Sequence, residues 1–394
     1  VKVPAVLFEV APKRPVLVSS APGRVDFLNT HQDYKGLPVV PIAVNLRTYV
    51  AVLEESTLFE VESLNLREEG QEYRDRFGPE PQLLPGRWWG NYLRSCVIAL
   101  ERKAGVKLGK GFKALIYSEV PVGSGLSSSA ALEVAFLKAL DSFFNLGLSA
   151  QELAETAFYA ENTVAGIPCG RLDQYASAFG GAILLYPRPP VRVEPLDIGS
   201  LDFIVVDSGI RHSVAEIHPR RQAEINQALS LLLSFQDLPP TLREKLAPDY
   251  SRARWEEITF DEVKPFLDRL PDRLAKRVAF TILMHESTMR AVDLIKSGSL
   301  SRELLAREIN VQHELLRDYY DVSLPELEEL RRVMMSSGAI AVKISGAGLG
   351  GSLFALTGEG VEEKVKVIDS ALKAGARKGW PLKPDQGARI EYHI

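Results

Sequence analysis

Cysteine is almost absent. Two residues in 394, Cys96 and Cys169, are too few for a disulfide framework or a zinc pattern, and they fit a reducing compartment. The six histidines contain no His-x-x-x-His pair, so no metal site of that kind is offered. No apolar run approaches the length that crosses a bilayer, and the first residues lack a signal-peptide pattern. A cytoplasmic protein with no membrane partner is therefore expected. A Walker A sequence is missing: "GVKLGKG" (105–111) lacks the Lys-Ser/Thr ending and a following helix. A G-x-S-x-G hydrolase elbow is missing too. Basic excess is also lacking. The net charge is −4, which argues against a nucleic-acid partner but not against a small anion, because local dipoles can bind one in an acidic protein.

What is present is ordinary in bulk. Apolar residues make up 46% and charged residues 25%, values typical of a globular chain, and the length implies two domains. There is no internal repeat. Short strands are expected at Pro15–Val18, Thr48–Leu53 and Lys113–Ser118, in "LDFIVVDSGI", on either side of the Gly-rich turn in "AIAVKISGAGLGGSLFALTG", and in the terminal "ARIEYHI". Helices are expected over 91–104, up to about Phe144, over Gln151–Thr163, through most of 214–335 and over 361–378. The Pro-rich "YPRPPVRVEP" reads as a linker. The mixture implies an α+β protein of two domains, 1–185 and 186–394, with a cleft between them.

Four stretches are candidates for chemistry. "PVGSGLSSSAALEVA" (121–135) places glycines and hydroxyls directly before a helix. A helix N-terminus with close-approaching backbone suits a phosphate, but a serine-capped turn explains the same residues. Gly346, Gly348 and Gly351 match G-x-G-x-x-G, yet "SLFALTG" after them reads as a strand, which argues against a dinucleotide turn. Asp173 in "CGRLDQYA" is either a helix cap or an acid–base group. Arg24 after "APG" is either a structural ion pair or a functional cation.

Taken in order, five blocks resemble the GHMP small-molecule kinases, and most closely the galactokinases. They are "PGRVDFLNTHQDYKGLPVVPIAVNL", "RWWGNYLRSCVIAL", "PVGSGLSSSAALEVA", "AENTVAGIPCGRLDQYASAFG" and "KISGAGLGGSLFAL". The resemblance implies the two-domain GHMP-kinase fold with its active site in the cleft. It implies ATP held by the loop 121–131, through Pro121, Gly123, Ser124, Gly125, Leu126, Ser127, Ser128, Ser129 and Ala130. Gly346 and Gly348 of the C-terminal Gly-rich motif (345–352) would add to that nucleotide site. It further implies Trp89 against adenine, Mg²⁺ held by Ser129 and Glu161, and Asp173 as catalytic base beside Arg24. The sugar would meet Thr30, His31, Asp33, Tyr34, Gly170 and Arg171.

Departures from the family pattern bear on the sugar. Thr30 replaces a Glu that, in the family, accepts a hydrogen bond from the C6 hydroxyl of galactose. Ile217, in "AEIHPRR", stands where a sugar-contacting Tyr is expected. Arg171 replaces an aliphatic residue, and a side chain turned to the sugar could pair with a uronate. The implied activity is ATP-dependent phosphorylation of the anomeric hydroxyl of galactose or a related sugar. L-Arabinose and galacturonate are alternative substrates, expected within about tenfold of galactose in kcat/KM because a hydroxyl-binding carboxylate is gone. A non-catalytic sugar sensor is the reading of another class. The expected oligomeric state is a monomer or weak homodimer.

Overall fold

The structure is a computed structural model that describes residues 3–211 and 214–394, with the backbone alone for 214–216. In chain order the strands are β1 (Leu17–Leu28), β2 (Val40–Ser56), β3 (Phe59–Ser63), β4 (Arg74–Phe77), β5 (Gly111–Ser118), β6 (Ala182–Tyr186), β7 (Arg192–Leu196), β8 (Phe203–Asp207), β9 (Ala339–Ser345), β10 (Ser352–Thr357), β11 (Lys378–Leu382) and β12 (Arg389–His393). Two compact units emerge, and neither is contiguous in sequence. The first comprises 1–24, 42–181 and 384–394; the second comprises 25–41 and 182–383.

The first unit holds strands in the order β12-β1-β2-β5-β3-β4. β1 and β2 are much longer than the short strands expected at 15–18 and 48–53. All twelve residues of β1 are buried, so its side chains show no alternation to read. The helix Asn91–Ala104 agrees with expectation, as does the one at Ser128–Phe143. The helix Ala150–Tyr159 carries a Ser149/Glu152 capping box. It then loosens into a π-turn, Ala160–Val164, where a continuous α-helix to Thr163 is expected.

The second unit packs helices Val214–Ser234, Asp272–Lys296, Arg302–Asp318, Pro325–Ser336 and Val361–Lys373 with an antiparallel sheet ordered β11-β8-β10-β9. Its core gathers Trp255, Phe280, Tyr320 and Leu316. The stretch 186–195 is not a linker. It forms the turn and second strand of a hairpin in which Ile183 pairs with Pro195. Pro195 is tolerated because β7 pairs only with β6 and so presents an edge. The last long helix ends at Lys373 rather than 378, because Gly375 turns the chain at φ +106° into β11.

Candidate active site

In the first unit the phosphate-loop candidate rests directly on β1. A Cβ on Gly23 would lie 2.6 Å from the Leu126 carbonyl oxygen, so only glycine allows the approach. The Arg24 N–H donates to that same oxygen at 2.9 Å. The Arg24 side chain donates Nη1–H to the Gly125 carbonyl at 2.6 Å. Across a planar trans peptide the N–H points opposite to the C=O. The N–H groups of Leu126 and Ser127 therefore face away from Arg24.

The loop alternates left-handed residues, Gly123 (φ 71°), Gly125 (φ 81°) and Ser127 (φ 63°), before the helix begins. Ser127 makes no side-chain cap, and its Oγ is buried without a hydrogen-bond partner. The serine-cap reading thus fails, and the helix opens with an uncapped N-terminus of the kind that receives anions. Ser124 ties the loop by donating to the Pro121 carbonyl at 2.8 Å. Ser128, Ser129 and Ala130 form the first helical turn.

Asp173 opens the helix Leu172–Phe179 and accepts from Arg24 Nε at 2.7 Å. The Arg24 side chain is 10% exposed and the Asp173 side chain 33%. The cation is thus fixed by two partners while the carboxylate keeps an open side. Glu161 sits in the π-turn, a feature often found at functional sites. Ser129 Oγ donates to Glu161 Oε1 at 3.2 Å, and Gln174 Nε2 donates to Oε2 at 2.5 Å. Burial lifts the Glu161 carboxyl to about 7, and the negative charge of Asp173 adds to the effect. Burial likewise pushes Glu133, from the middle of the Ser128–Phe143 helix, well above the ordinary carboxylate range. A divalent cation fits here. Hydroxyl and carboxylate oxygens are hard ligands, and a buried carboxylate held up by lack of countercharge is what such an ion relieves. Among the described residues no group of three or more His, Cys, Asp and Glu is arranged to hold a metal, and the oxygens that meet here are those of Ser129 and Glu161.

Trp89 lies half-buried beside Trp88, ring centroids 5.8 Å apart, with its indole Nε1 buried and unpartnered. Gly170 is partly exposed just before that helix. Arg171 is turned to Glu155, with Nε–Oε1 2.7 Å and Nη2–Oε2 3.4 Å, and lies 4.3 Å from the Phe158 ring centroid. The guanidinium fork already holds a carboxylate, which removes the expected uronate partner.

In the second unit, residues 29–34 form a tight cluster. His31 Nε2 faces the Ala347 carbonyl at 2.7 Å, an acceptor only, so that nitrogen carries the proton. Burial holds His31 well below the ordinary histidine value, with the charge of His218 adding, so the ring is neutral. Its Nδ1 then accepts from Tyr34 Oη at 3.1 Å, and Tyr34 in turn accepts from Tyr320 Oη at 2.6 Å. Both nitrogens of His31 are thereby engaged within the protein. Asp33 opens a 3₁₀ turn, Asp33–Lys35, and is partly exposed. Thr30 Oγ1 accepts from Lys343 Nζ at 2.7 Å.

Gly346 and Gly348, expected at the nucleotide, lie in this unit at φ 95° and 86°. A Cβ on Gly348 would meet the Val322 carbonyl oxygen at 2.4 Å, so its glycine has a packing reason. Ile217 is buried in the apolar core and replaces the expected tyrosine with no polar group. Ala215 and Glu216 of the same motif lie outside the described side chains.

Sequence reasoning missed several participants. His218 has its ring centroid 5.1 Å from both the His31 and the Tyr34 rings. Lys35 is fully buried against the stacked Phe280–Tyr320 pair. Lys343, Glu133 and Gln174 were also overlooked. Lone charges inside apolar runs, "AIAVKISG" and "SSSAALEVAFL", were the available signals for Lys343 and Glu133.

Three family models match the chain: the GHMP kinases N terminal domain over residues 91–181, the galactokinase galactose-binding signature over 7–53, and the GHMP kinases C terminal over 292–375. A galactokinase of Thermotoga neapolitana is 31% identical over 88% of this chain and 91% of its own length. A galactokinase of Chloroflexus aggregans is 31% identical over 94% of this chain and 91% of its own. The crystal structure of Lactococcus lactis galactokinase complexed with galactose superposes with a TM-score of 0.78 at 25% identity, covering 98% and 97% of the two chains.

Proposed function

The chain belongs to the galactokinase family of the GHMP kinases, and from that premise we propose that it transfers the γ-phosphoryl group of ATP to the anomeric hydroxyl of galactose or a closely related sugar. The observation that carries the reading is the Arg24–Asp173 pair, anchored by one end on the carbonyl of Gly125 in the phosphate loop. A base is thus tied to the loop that would hold the group to be transferred.

In this reading Asp173 takes the proton of the anomeric hydroxyl as its oxygen bonds to the γ-phosphorus. Arg24 steadies the charge developing on that oxygen, and ADP leaves. The proton passes from Asp173 to solvent after the sugar phosphate departs. Phosphoryl transfer needs positioning and charge neutralisation above all, which the loop N–H groups of residues 126–130 provide. Mg²⁺, held by Ser129 and Glu161, would supply countercharge to the phosphates. Trp89 is assigned to adenine. Asp33 and Thr30 are assigned to the sugar, and Tyr34, whose hydroxyl is held between His31 and Tyr320, to ordering the loop that carries them.

His31 is assigned to the sugar loop as a residue that orders it, since its nitrogens are engaged. Among the described residues no helix is long and apolar enough to cross a membrane. We place the protein in the cytoplasm, as a monomer or weak homodimer.

ADP release measured over a panel of aldoses tests the reading. The expected result is sugar-dependent release with galactose or a near relative. Release no faster with any sugar than without one overturns it.

A further inference from the structure

Lys343 projects from β9 and is fully buried. Its Nζ lies 3.0 Å from the Asp26 carbonyl, 2.9 Å from the Ile344 carbonyl and 2.7 Å from Thr30 Oγ1. An ammonium has three donors and no acceptor, so all three bonds run outward from the nitrogen. The Thr30 hydroxyl must therefore accept, and its own proton has to go elsewhere. Among the described residues nothing receives it, although Thr30 is only 1% exposed. A hydroxyl donates as well as accepts, so this proton is left for a further acceptor.

The hydroxyl is also held in place. Its neighbours Asn29 and His31 both adopt left-handed backbone, φ 68° and 67°, conformations that persist only when the surroundings enforce them. Asn29 Nδ2 donates to the Pro38 carbonyl at 2.6 Å, and the Asn29 N–H donates to Gln312 Oε1 at 3.0 Å. Thr30 lies within the stretch that matches the galactose-binding signature.

We infer that Lys343 and Thr30 form a cation-backed hydrogen-bond donor for a carboxylate on the substrate, so that the preferred sugar is a galactose-type hexuronic acid rather than the neutral hexose. This rests on the sugar-kinase reading above. A hydroxyl polarised by an ammonium donates best to an anionic acceptor, and charge-assisted bonds are the stronger class. The anomeric hydroxyl is reserved as phosphoryl acceptor, and ring carbons two to four carry the hydroxyls that define the sugar. The carboxylate therefore belongs on the exocyclic carbon. Arg171, whose fork is held by Glu155, is not needed for this role.

The test compares galacturonate, galactose and L-arabinose, which lacks the exocyclic carbon, as acceptors with ATP. Wild type should show kcat/KM for galacturonate at least about tenfold above that for galactose. Thr30→Val keeps the shape and removes the donor. It should lower the galacturonate-to-arabinose ratio by about tenfold or more, and Thr30→Ser, which keeps the hydroxyl, should restore most of it. Turnover of galactose with rejection of galacturonate overturns this inference and leaves the kinase reading intact, as does a Thr30→Val ratio equal to wild type. An enzyme inert on every sugar overturns both.

Discussion

Asp173 keeps about a third of its side chain exposed while its partner Arg24 is held by Gly125 and by Asp173 itself, and the proposed function makes the carboxylate the base and the guanidinium the fixed cation beside it. Asp173→Asn should lower kcat by about 10²–10⁴-fold with little change in ATP affinity. Single-turnover rates paired with nucleotide binding check this, and near-normal turnover would reduce Asp173 to a helix-opening carboxylate. Ser129→Ala and Glu161→Gln should each move the Mg²⁺ dependence of the initial rate to higher concentration, because the first removes an oxygen and the second the negative charge that the proposed function assigns to the ion. Titrations that overlay wild type for both variants would contradict the assignment. These residues were singled out through the resemblance to the family's motifs; read alone, Asp173 and Arg24 left a helix cap and a structural ion pair open. Lys343 and Lys35 were not singled out, because only the fold shows what surrounds a buried charge.

Between residues and the whole lie the strands and helices, where pattern reading fared unevenly. Helices with one wet face, such as Asn91–Ala104, announced themselves by period. β1 and β2 did not, since strands buried on both faces lose the alternation that marks them. The Pro-rich stretch 186–195 misled for a different reason, because an edge strand accepts proline where a central one does not. The helix Asp272–Lys296 carries a pH dependence of its own. Burial holds His285 down to about 4, and its Nδ1 has no partner. A histidine whose folded value lies below its unfolded one binds fewer protons when folded. Stability from this group is therefore complete above about 6.5 and is lost as pH falls toward 4, by up to about 3 kcal/mol. Urea midpoints measured from pH 4 to 7 should fall less steeply for His285→Gln than for wild type. Parallel curves would show that His285 meets solvent freely.

At the scale of the molecule, two units interleave along the chain. Segment 25–41 joins the second unit and segment 384–394 returns to the first, an arrangement no local pattern encodes. Packing of distant segments decides it, which is why a boundary drawn along the sequence describes the order of motifs rather than the bodies they build. The consequence is that Arg24 ends one unit's share of β1 while Val25 begins the other's. Arg24, Asp173, Ser129, Glu161 and the loop 121–131 belong to the first unit, and Thr30, His31, Asp33 and Tyr34 to the second. The central claim is that this chain phosphorylates the anomeric oxygen of a sugar. The most direct measurement is ³¹P and ¹H NMR of the product formed from ATP, Mg²⁺ and the sugar that best stimulates ADP release. The account predicts a sugar phosphate whose phosphorus couples to the anomeric proton, formed in equal amount to ADP. Phosphate on any other oxygen, or ADP accompanied only by inorganic phosphate, would contradict it.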